Sequence, residues 1–147
     1  TLHCGEPVAD IYIKSAPLKG ATFSGYEIVR MIDEIPILAV AAAMAHGTTV
    51  IKNAEELKIK ETNRIDAIVN ELQKLGVNIK ATDDGLIVQG PTKLTGAKVN
   101  SHGDHRIAMA LAIAGLFASG ETCVCDTDTI KDSFPGFERY LTQIIKE

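Results

Sequence analysis

One run of the chain occurs twice. Pro36–Gly47 (PILAVAAAMAHG), followed by Thr48–Ile51 (TTVI), returns 73 residues later as Met109–Gly120 (MALAIAGLFASG), followed by Glu121–Val124 (ETCV). Both are Ala-rich helical patterns closed by a glycine able to take positive φ, and both lead into a short β-branched segment. A fixed period with the same order of elements means one supersecondary unit used twice. The two runs are apolar on nearly every side, so each helix has to be covered all round, inside the fold rather than on its face. Helices in the centre with sheets outside is an uncommon arrangement and narrows the architectures available.

The remaining pattern fills in around these helices. Val8–Lys14 alternates apolar and polar residues as a half-buried strand does. The spacing predicts helices at 34–46 and 62–75 and a strand at 48–52. The second helix is amphipathic, with Ile65, Ile68, Val69, Leu72 and Leu75 on one face and Gly76 at its end. Val77–Lys80 and Leu86–Gln89 flank Asp83-Asp84-Gly85, a hairpin signal. Residues 5–96 thus read as one βαβαββ unit. A second unit, 97–147, supplies a strand at 97–100, a helix at 105–118, a strand at 122–125 and a helix at 134–145, and lacks two closing strands. In each copy the second helix begins fourteen residues after the glycine, near Glu61 and near Phe134. The expected fold class is α+β, with repeated βαβαββ units, buried helices and outer sheets, and 1–147 forming part of one incomplete domain. Missing strands leave an open sheet edge. The remainder is therefore expected from a longer polypeptide, in keeping with a chain that starts at Thr1 rather than Met.

Composition removes several function classes. Fifteen Lys+Arg against nineteen Asp+Glu give a net charge of −4, and the basic residues are scattered. Neither a nucleic acid nor an acidic membrane surface is an expected partner. No apolar stretch reaches the roughly 18 residues needed to span a bilayer, and no signal peptide opens the chain, so a cytoplasmic location is expected. Cys4, Cys123 and Cys125 are too few for a disulfide framework and read as reduced thiols. Cys123 and Cys125 alternate within an apolar run, one expected inward and the other outward; as a Cys-x-Cys metal half-site they lack a second half. No metal site is expected. There is no P-loop, Gly-x-Gly-x-x-Gly, Gly-x-Ser-x-Gly or His-Glu-x-x-His. His3, His46 and His102 stand alone as surface or loop histidines, and Glu55-Glu56 reads as a solvated turn.

Three polar clusters interrupt the apolar pattern, each where a helix begins. Asp33-Glu34 precedes the first buried helix, and Asp33 reads either as its N-cap or as a functional carboxylate. Lys58-Ile-Lys60-Glu61-Thr62-Asn63-Arg64 opens the amphipathic helix. Some of these residues suit capping, but cations at a helix N-terminus oppose the macrodipole, which makes sense if an anion sits among them. Ser101-His102-Gly103-Asp104-His105-Arg106 opens the second buried helix. There Asp104 is either the partner of Arg106 or a cap, and Arg106 is either an ion-paired residue or a clamp for a carboxylate or phosphate. The repeat sets Asp33 against Arg106, so a rotation relating the copies brings these two helix starts together. The chemistry indicated is an anion site built from helix N-termini, with Asp and Glu available for proton transfer.

Asp33-Glu-Ile-Pro36, Leu57-Lys-Ile-Lys-Glu-Thr-Asn-Arg-Ile65, Gly103-Asp-His-Arg-Ile-Ala-Met109 and Ser133-Phe-Pro-Gly-Phe137 resemble the C-terminal part of the 5-enolpyruvylshikimate-3-phosphate synthase family. The motifs occur in order across essentially the whole chain. The resemblance implies two domains of three βαβαββ units each, with this chain holding two units of one domain and the polypeptide's N-terminal portion completing it. It implies transfer of the enolpyruvyl group of phosphoenolpyruvate to the 5-hydroxyl of shikimate 3-phosphate, with release of phosphate and no cofactor. This is a step of aromatic amino-acid biosynthesis, and in the family glyphosate occupies the phosphoenolpyruvate site.

By the same resemblance Asp33 contacts the shikimate hydroxyls and is a candidate base, and Glu61 protonates the methylene. Arg64 and Arg106 clamp phosphoenolpyruvate, with Lys60 nearby and His105 beside the arginine. Where some members carry a phosphoenolpyruvate-contacting Lys, three residues before the Pro of the Phe-Pro motif, this chain has Asp132, preceded by Lys131; that role is not assigned to Lys131. The fragment is expected to be inactive alone. The alternatives are a related enolpyruvyl transferase with another acceptor, or a non-catalytic anion-binding module.

Overall fold

The repeat is visible in three dimensions as two parallel strand pairs joined by the same hydrogen bonds. The computed structural model describes residues 2–145, with only the backbone of Leu2 and His3, so the expectation for the His3 side chain lies outside it. Strands β1 (Leu2–His3) and β2 (Glu6–Pro7) form a small antiparallel pair. They are followed by β3 (Thr22–Phe23), α1 (Tyr26–Met31), a 3₁₀ turn over Ile32–Glu34, α2 (Ile35–Met44) and β4 (Gly47–Ile51). A second 3₁₀ turn, Glu55–Ile59, leads to α3 (Arg64–Lys74) and the hairpin of β5 (Asn78–Thr82) and β6 (Gly85–Gly90). The second copy contributes β7 (Lys98–Asn100), α4 (His105–Gly115) and β8 (Cys123–Cys125), and the chain ends in α5 (Ile130–Ser133) and α6 (Phe137–Ile145).

The first sheet has the order β3-β4-β6-β5, parallel between β3 and β4 and antiparallel elsewhere. The second is the parallel pair β7-β8. Gly20 N donates to His46 O at 2.8 Å as Gly96 N donates to Ser119 O at 2.8 Å, and the bond from His46 N to Leu18 O is matched by that from Ser119 N to Leu94 O. Asn53 and Asp126, 73 residues apart, share a left-handed backbone with φ of 57° and 61°.

The core is helical at its centre. Ile35, Ala39, Val40 and Ala43 of α2 meet Ile107, Ala110, Leu111 and Ala114 of α4. The apolar face of α3 (Ile65, Ile68, Leu72) packs onto the same cluster, and Ile51, Leu86 and Val88 close it from the four-stranded sheet. Each such Ile or Leu contributes roughly 1.5–3 kcal/mol by leaving water. The Ala-rich composition of α2 and α4 lets their backbones approach closely. α3 starts where its sequence directs, with Asn63 Oδ1 accepting from Asp66 N at 3.3 Å, and it stops before Gly76 at φ 90°.

Several expectations need correction. Residues 8–14 are not a strand: the stretch lies in irregular backbone, with Ile11, Tyr12 and Ile13 more than four-fifths exposed. A strand needs a pairing partner for its backbone hydrogen bonds, and residues 8–14 belong to none of the described sheets; β3, fourteen residues further on, takes the position equivalent to β7. Gly47 and Gly120 do take positive φ, 100° and 87°, but neither caps its helix, which ends earlier at Met44 or Gly115; Gly47 is the first residue of β4 and Gly120 lies in a bend ahead of β8. Cys123 and Cys125 do not split between inside and outside. Residues two apart on a strand share a face, and Val124 between them points to the core. The final helix begins at Phe137, with a separate short turn before it, and it buries no side chain. Nor are α2 and α4 covered all round, because Ile37, Ile113 and Phe117 line an open apolar cleft of about 410 Å³.

A prediction follows from the paired strands. A Cβ at Gly20 falls 2.4 Å from the Thr48 carbonyl oxygen, and one at Gly96 falls 2.2 Å from that of Glu121. Both obstacles are backbone and cannot swing aside. Gly96→Ala and Gly20→Ala are each expected to destabilise by about 1–3 kcal/mol, read as a lower urea midpoint. An unchanged midpoint in both would show that the strand pairs tolerate separation.

Candidate active site

The three polar clusters come together where the starts of α2, α3 and α4 meet. The starts of α2 and α4 lie together, so Asp33 and Arg106, equivalent in the repeat, face each other. Arg106 Nη1 donates to the Asp33 carbonyl at 3.0 Å and to Glu34 Oε1 at 2.7 Å, and its Nη2 lies 3.9 Å from Asp33 Oδ2. The start of α3 enters from the side. Arg64, its first residue, is 1% exposed and donates from Nε to Asp104 Oδ2 at 2.6 Å, from Nη1 to Asp33 Oδ1 at 2.8 Å and from Nη2 to Glu61 Oε2 at 2.6 Å. Lys60 bonds Glu56 and lies 3.9 Å from Asp33 Oδ1.

Asp104 explains why the hub stays in place. It is fully buried and caps α4, its Oδ1 accepting from Arg106 N at 2.9 Å and Ile107 N at 3.2 Å, while Oδ2 receives Arg64. Of its two expected roles it fills the cap, but its ionic partner is Arg64, forty residues away, rather than Arg106. Asp33 is not an N-cap: it sits in the 3₁₀ turn, and α2 starts after Glu34 with no side-chain cap and Pro36 in its first turn. A capping Asp needs extended backbone at the cap, and the 3₁₀ turn runs directly into the helix instead.

Beside Asp33 and Arg106 opens a cleft of about 200 Å³, lined also by Glu34, Met109, Ile113, Phe134 and Phe137. The two phenylalanine rings meet edge-on at 5.8 Å. His105, first residue of α4, is partly buried, and its ring makes no hydrogen bond among the described residues. The structure therefore gathers Asp33, Lys60, Glu61, Arg64 and Arg106 into one network, with His105 adjoining through the chain. Sequence reasoning left out Glu34, Glu56, Phe134 and Phe137 as neighbours. The repeat carried a signal for the phenylalanines, since they stand at the positions equivalent to Glu61 and Arg64. Lys131 lies elsewhere, paired with Asp128 at 3.0 Å, and does not line the cleft. Glu55 and Glu56 are both exposed in a 3₁₀ turn, as expected of a solvated turn. Among the described residues no group of three or more His, Cys, Asp or Glu is placed to hold a metal ion, and no helix is long and apolar enough to cross a membrane.

Burial pushes the Asp33 carboxyl up, but the Arg64 bond and the charges of Arg106 and Lys60 outweigh it and hold it below its ordinary value of 3.8. Arg64 is disfavoured as a cation by burial, yet Asp104 above all keeps it charged. A second carboxylate outside the network behaves like Asp33. Glu71 of α3, 1% exposed, is raised by burial and lowered further by bonds from Lys74, Asn100 N and His102, ending below 4.5. Both folded values lie below the unfolded ones, so each group's stabilisation is present above its unfolded value and is lost as pH falls through the folded value. Urea midpoints are expected to be insensitive to these groups from neutral pH to about 4.5 and to fall below it, with a shallower fall in Glu71→Gln. An identical acid slope in the variant would contradict the assignment to Glu71.

The comparisons agree with the geometry. The family model described as EPSP synthase (3-phosphoshikimate 1-carboxyvinyltransferase) matches residues 5–141. The chain is 57% identical over 146 residues to the 3-phosphoshikimate 1-carboxyvinyltransferase of Desulforamulus reducens, covering 99% of this chain and 34% of that protein. Its counterpart in Alkaliphilus oremlandii is 54% identical, with 97% of this chain and 33% of that protein covered. Among solved structures, EPSP synthase from Acinetobacter baumannii superposes with a TM-score of 0.83 at 37% identity, over 86% of this chain and 30% of that one. The chain spans about a third of the length of the curated relatives it matches. With repeat, fold and site motifs in agreement, this chain belongs to the EPSP synthase family.

Proposed function

We propose that the chain forms one wall of the active site of a synthase that transfers the enolpyruvyl group of phosphoenolpyruvate to the 5-hydroxyl of shikimate 3-phosphate, releasing phosphate. The observation that carries this reading is the sharing of Arg64 by Asp33 and Glu61. One buried guanidinium bonds two carboxylates, Asp33 at the edge of the cleft and Glu61, while Arg106 and Lys60 each approach Asp33 to 3.9 Å. The reaction needs that arrangement. The hydroxyl loses a proton as its oxygen bonds to the enol carbon, the methylene gains one, and the resulting tetrahedral intermediate expels phosphate as the methyl gives its proton back. Asp33, kept ionised by its neighbours, suits the first transfer, and Glu61 suits delivery to the methylene.

Arg106, about one-third exposed, and Lys60 are positioned to meet the carboxylate and phosphate of phosphoenolpyruvate, with His105 beside them. The Arg106–Glu34 pair is a surface pair worth at most about 1 kcal/mol, so an incoming anion exchanges with Glu34 easily. Arg64 is in the opposite position. To clamp phosphoenolpyruvate as the family resemblance implies, it has to release Glu61 or Asp33 while Asp104 keeps its Nε.

In this reading residues 5–96 and 97–147 are two units of one domain, and the N-terminal portion of the same polypeptide supplies the missing strands and the facing half of the site. The cover absent over Ile37, Ile113 and Phe117 supports that arrangement, as does the one-third coverage of the relatives. Three free cysteines suit the reducing cytoplasm.

Phosphate release from shikimate 3-phosphate and phosphoenolpyruvate is expected only when the chain is combined with that N-terminal portion. In the complete enzyme Glu61→Gln is expected to lower turnover by about 10²–10⁴-fold. Arg106→Ala is expected to raise the KM for phosphoenolpyruvate by about 10–100-fold, the equivalent of one charged hydrogen bond. Unchanged turnover in Glu61→Gln would falsify its role as proton donor.

A further inference from the structure

Only two charged side chains lie fully buried on α3, Arg64 and Glu71, and the mechanism above uses only the first. Seven residues apart, they occupy the same face two turns from each other, about 10 Å along the axis. Both reach the segment that connects β7 to α4. Arg64 holds Asp104 at its end, and Glu71 holds its beginning, accepting from Asn100 N at 2.9 Å through Oε2 and lying 2.9 Å from His102 Nε2 through Oε1. Lys74 Nζ completes the shell at 2.8 and 2.7 Å.

The segment held this way has little conformational slack. His102 and Gly103 both take left-handed backbone, φ 55° and 74°, which is unfavourable for a side chain as large as histidine. Local bonds shape the turn: His102 N donates to Asn100 Oδ1, Gly103 N donates to Ser101 Oγ, and Ser101 Oγ donates to Asp126 O. None of these fixes the turn relative to α3. With the Arg64–Asp104 contact alone, the segment can pivot about one point; the Glu71 contact supplies a second point and removes that freedom. An apolar residue would fill this buried position without the desolvation cost of a carboxylate, so retaining Glu71 implies a demand for register rather than for burial.

We propose that Glu71 is a positioning residue for the reaction: through Asn100 and His102 it fixes the turn that presents Asp104 to Arg64 and Arg106 to the cleft. This rests on the activity proposed above. In the full-length polypeptide that carries this chain, Glu71→Ala is expected to raise the KM for phosphoenolpyruvate by about tenfold, the penalty of a small displacement of the binding group. Glu71→Gln, which keeps an acceptor for Asn100 N, is expected to recover most of that loss.

Should Glu71→Ala fail to fold, His102→Ala removes one partly exposed contact and is expected to raise KM about threefold. Hydrogen exchange gives a reading independent of turnover. The amides of Arg106 and Ile107, bonded to Asp104, are expected to lose protection in these variants, while those of α2 keep theirs. A KM unchanged in the folded variants overturns the proposal, even if their melting temperatures fall, because a purely stabilising role lowers the active fraction and leaves KM alone. If the parent protein itself turns over neither substrate, the functional reading fails. The exchange data then decide the tether separately, and retained protection at Arg106 and Ile107 rejects it.

Discussion

A guanidinium buried at the first residue of α3 is, taken by itself, in the wrong place. It meets the positive end of a helix dipole and has lost its water. Asp104 makes it tenable, because its fully buried carboxylate faces Arg64 with one oxygen and caps α4 with the other. The pair therefore joins the starts of two helices from different copies of the repeat. Removing either partner leaves a buried charge uncompensated, at a cost of about 3–5 kcal/mol. The outer edge of the same guanidinium faces Asp33 and Glu61, each nearly half exposed. One residue thus belongs to the core on its inner edge and to the site on its outer edge. Three carboxylates on one cation leave a negative surplus, which Arg106 and Lys60 offset.

The repeat explains how such a site arises from modest parts. The equivalent starts of α2 and α4 lie together, so residues at equivalent positions become neighbours. Opposite charge at one such position, Asp33 in the first copy and Arg106 in the second, turns duplication into a complementary pair. The next equivalent stretch diverges differently. Where the first copy has Glu61 and Arg64, the second has Phe134 and Phe137, whose rings wall the cleft beside Asp33 and Arg106. At this stretch the first copy supplies charged side chains and the second an apolar wall.

What was legible in the sequence was local. The Ala-rich helices, the 3.6-residue stripe of α3 and the Asp83-Asp84-Gly85 hairpin each carry their signal within a dozen residues. The motifs and the repeat also located the three polar clusters and predicted their convergence. What escaped depends on partners distant in the chain. Val8–Lys14 has the alternation of a strand but joins none of the described sheets, whereas Lys19–Phe23 has little alternation but pairs with His46 and β4. Arg64 takes Asp104, forty residues away, in addition to Asp33 and the sequence-near Glu61, and no spacing rule encodes that distant partner. Glu71 lies off the apolar stripe that the spacing of α3 marks out. It is buried because the β7–α4 connection folds over it, bringing Asn100 N and His102 to its oxygens.

The open apolar cleft along α2 and α4 bears on how the site works. Ile37 and Ile113 line both that cleft and the one beside Arg106, so the two adjoin. Whatever covers the apolar stretch also removes water from the flank of Arg106. Coulomb energy scales inversely with the local dielectric, so an anion bound at Arg106 gains most when the cover is in place. The same cover stabilises α2 and α4, whose Ala-rich surfaces bury too little on their own. A chain organised this way has its cations already placed by Asp104 and Asp33 before any cover arrives, so the cover has only to exclude solvent from charges that are already fixed.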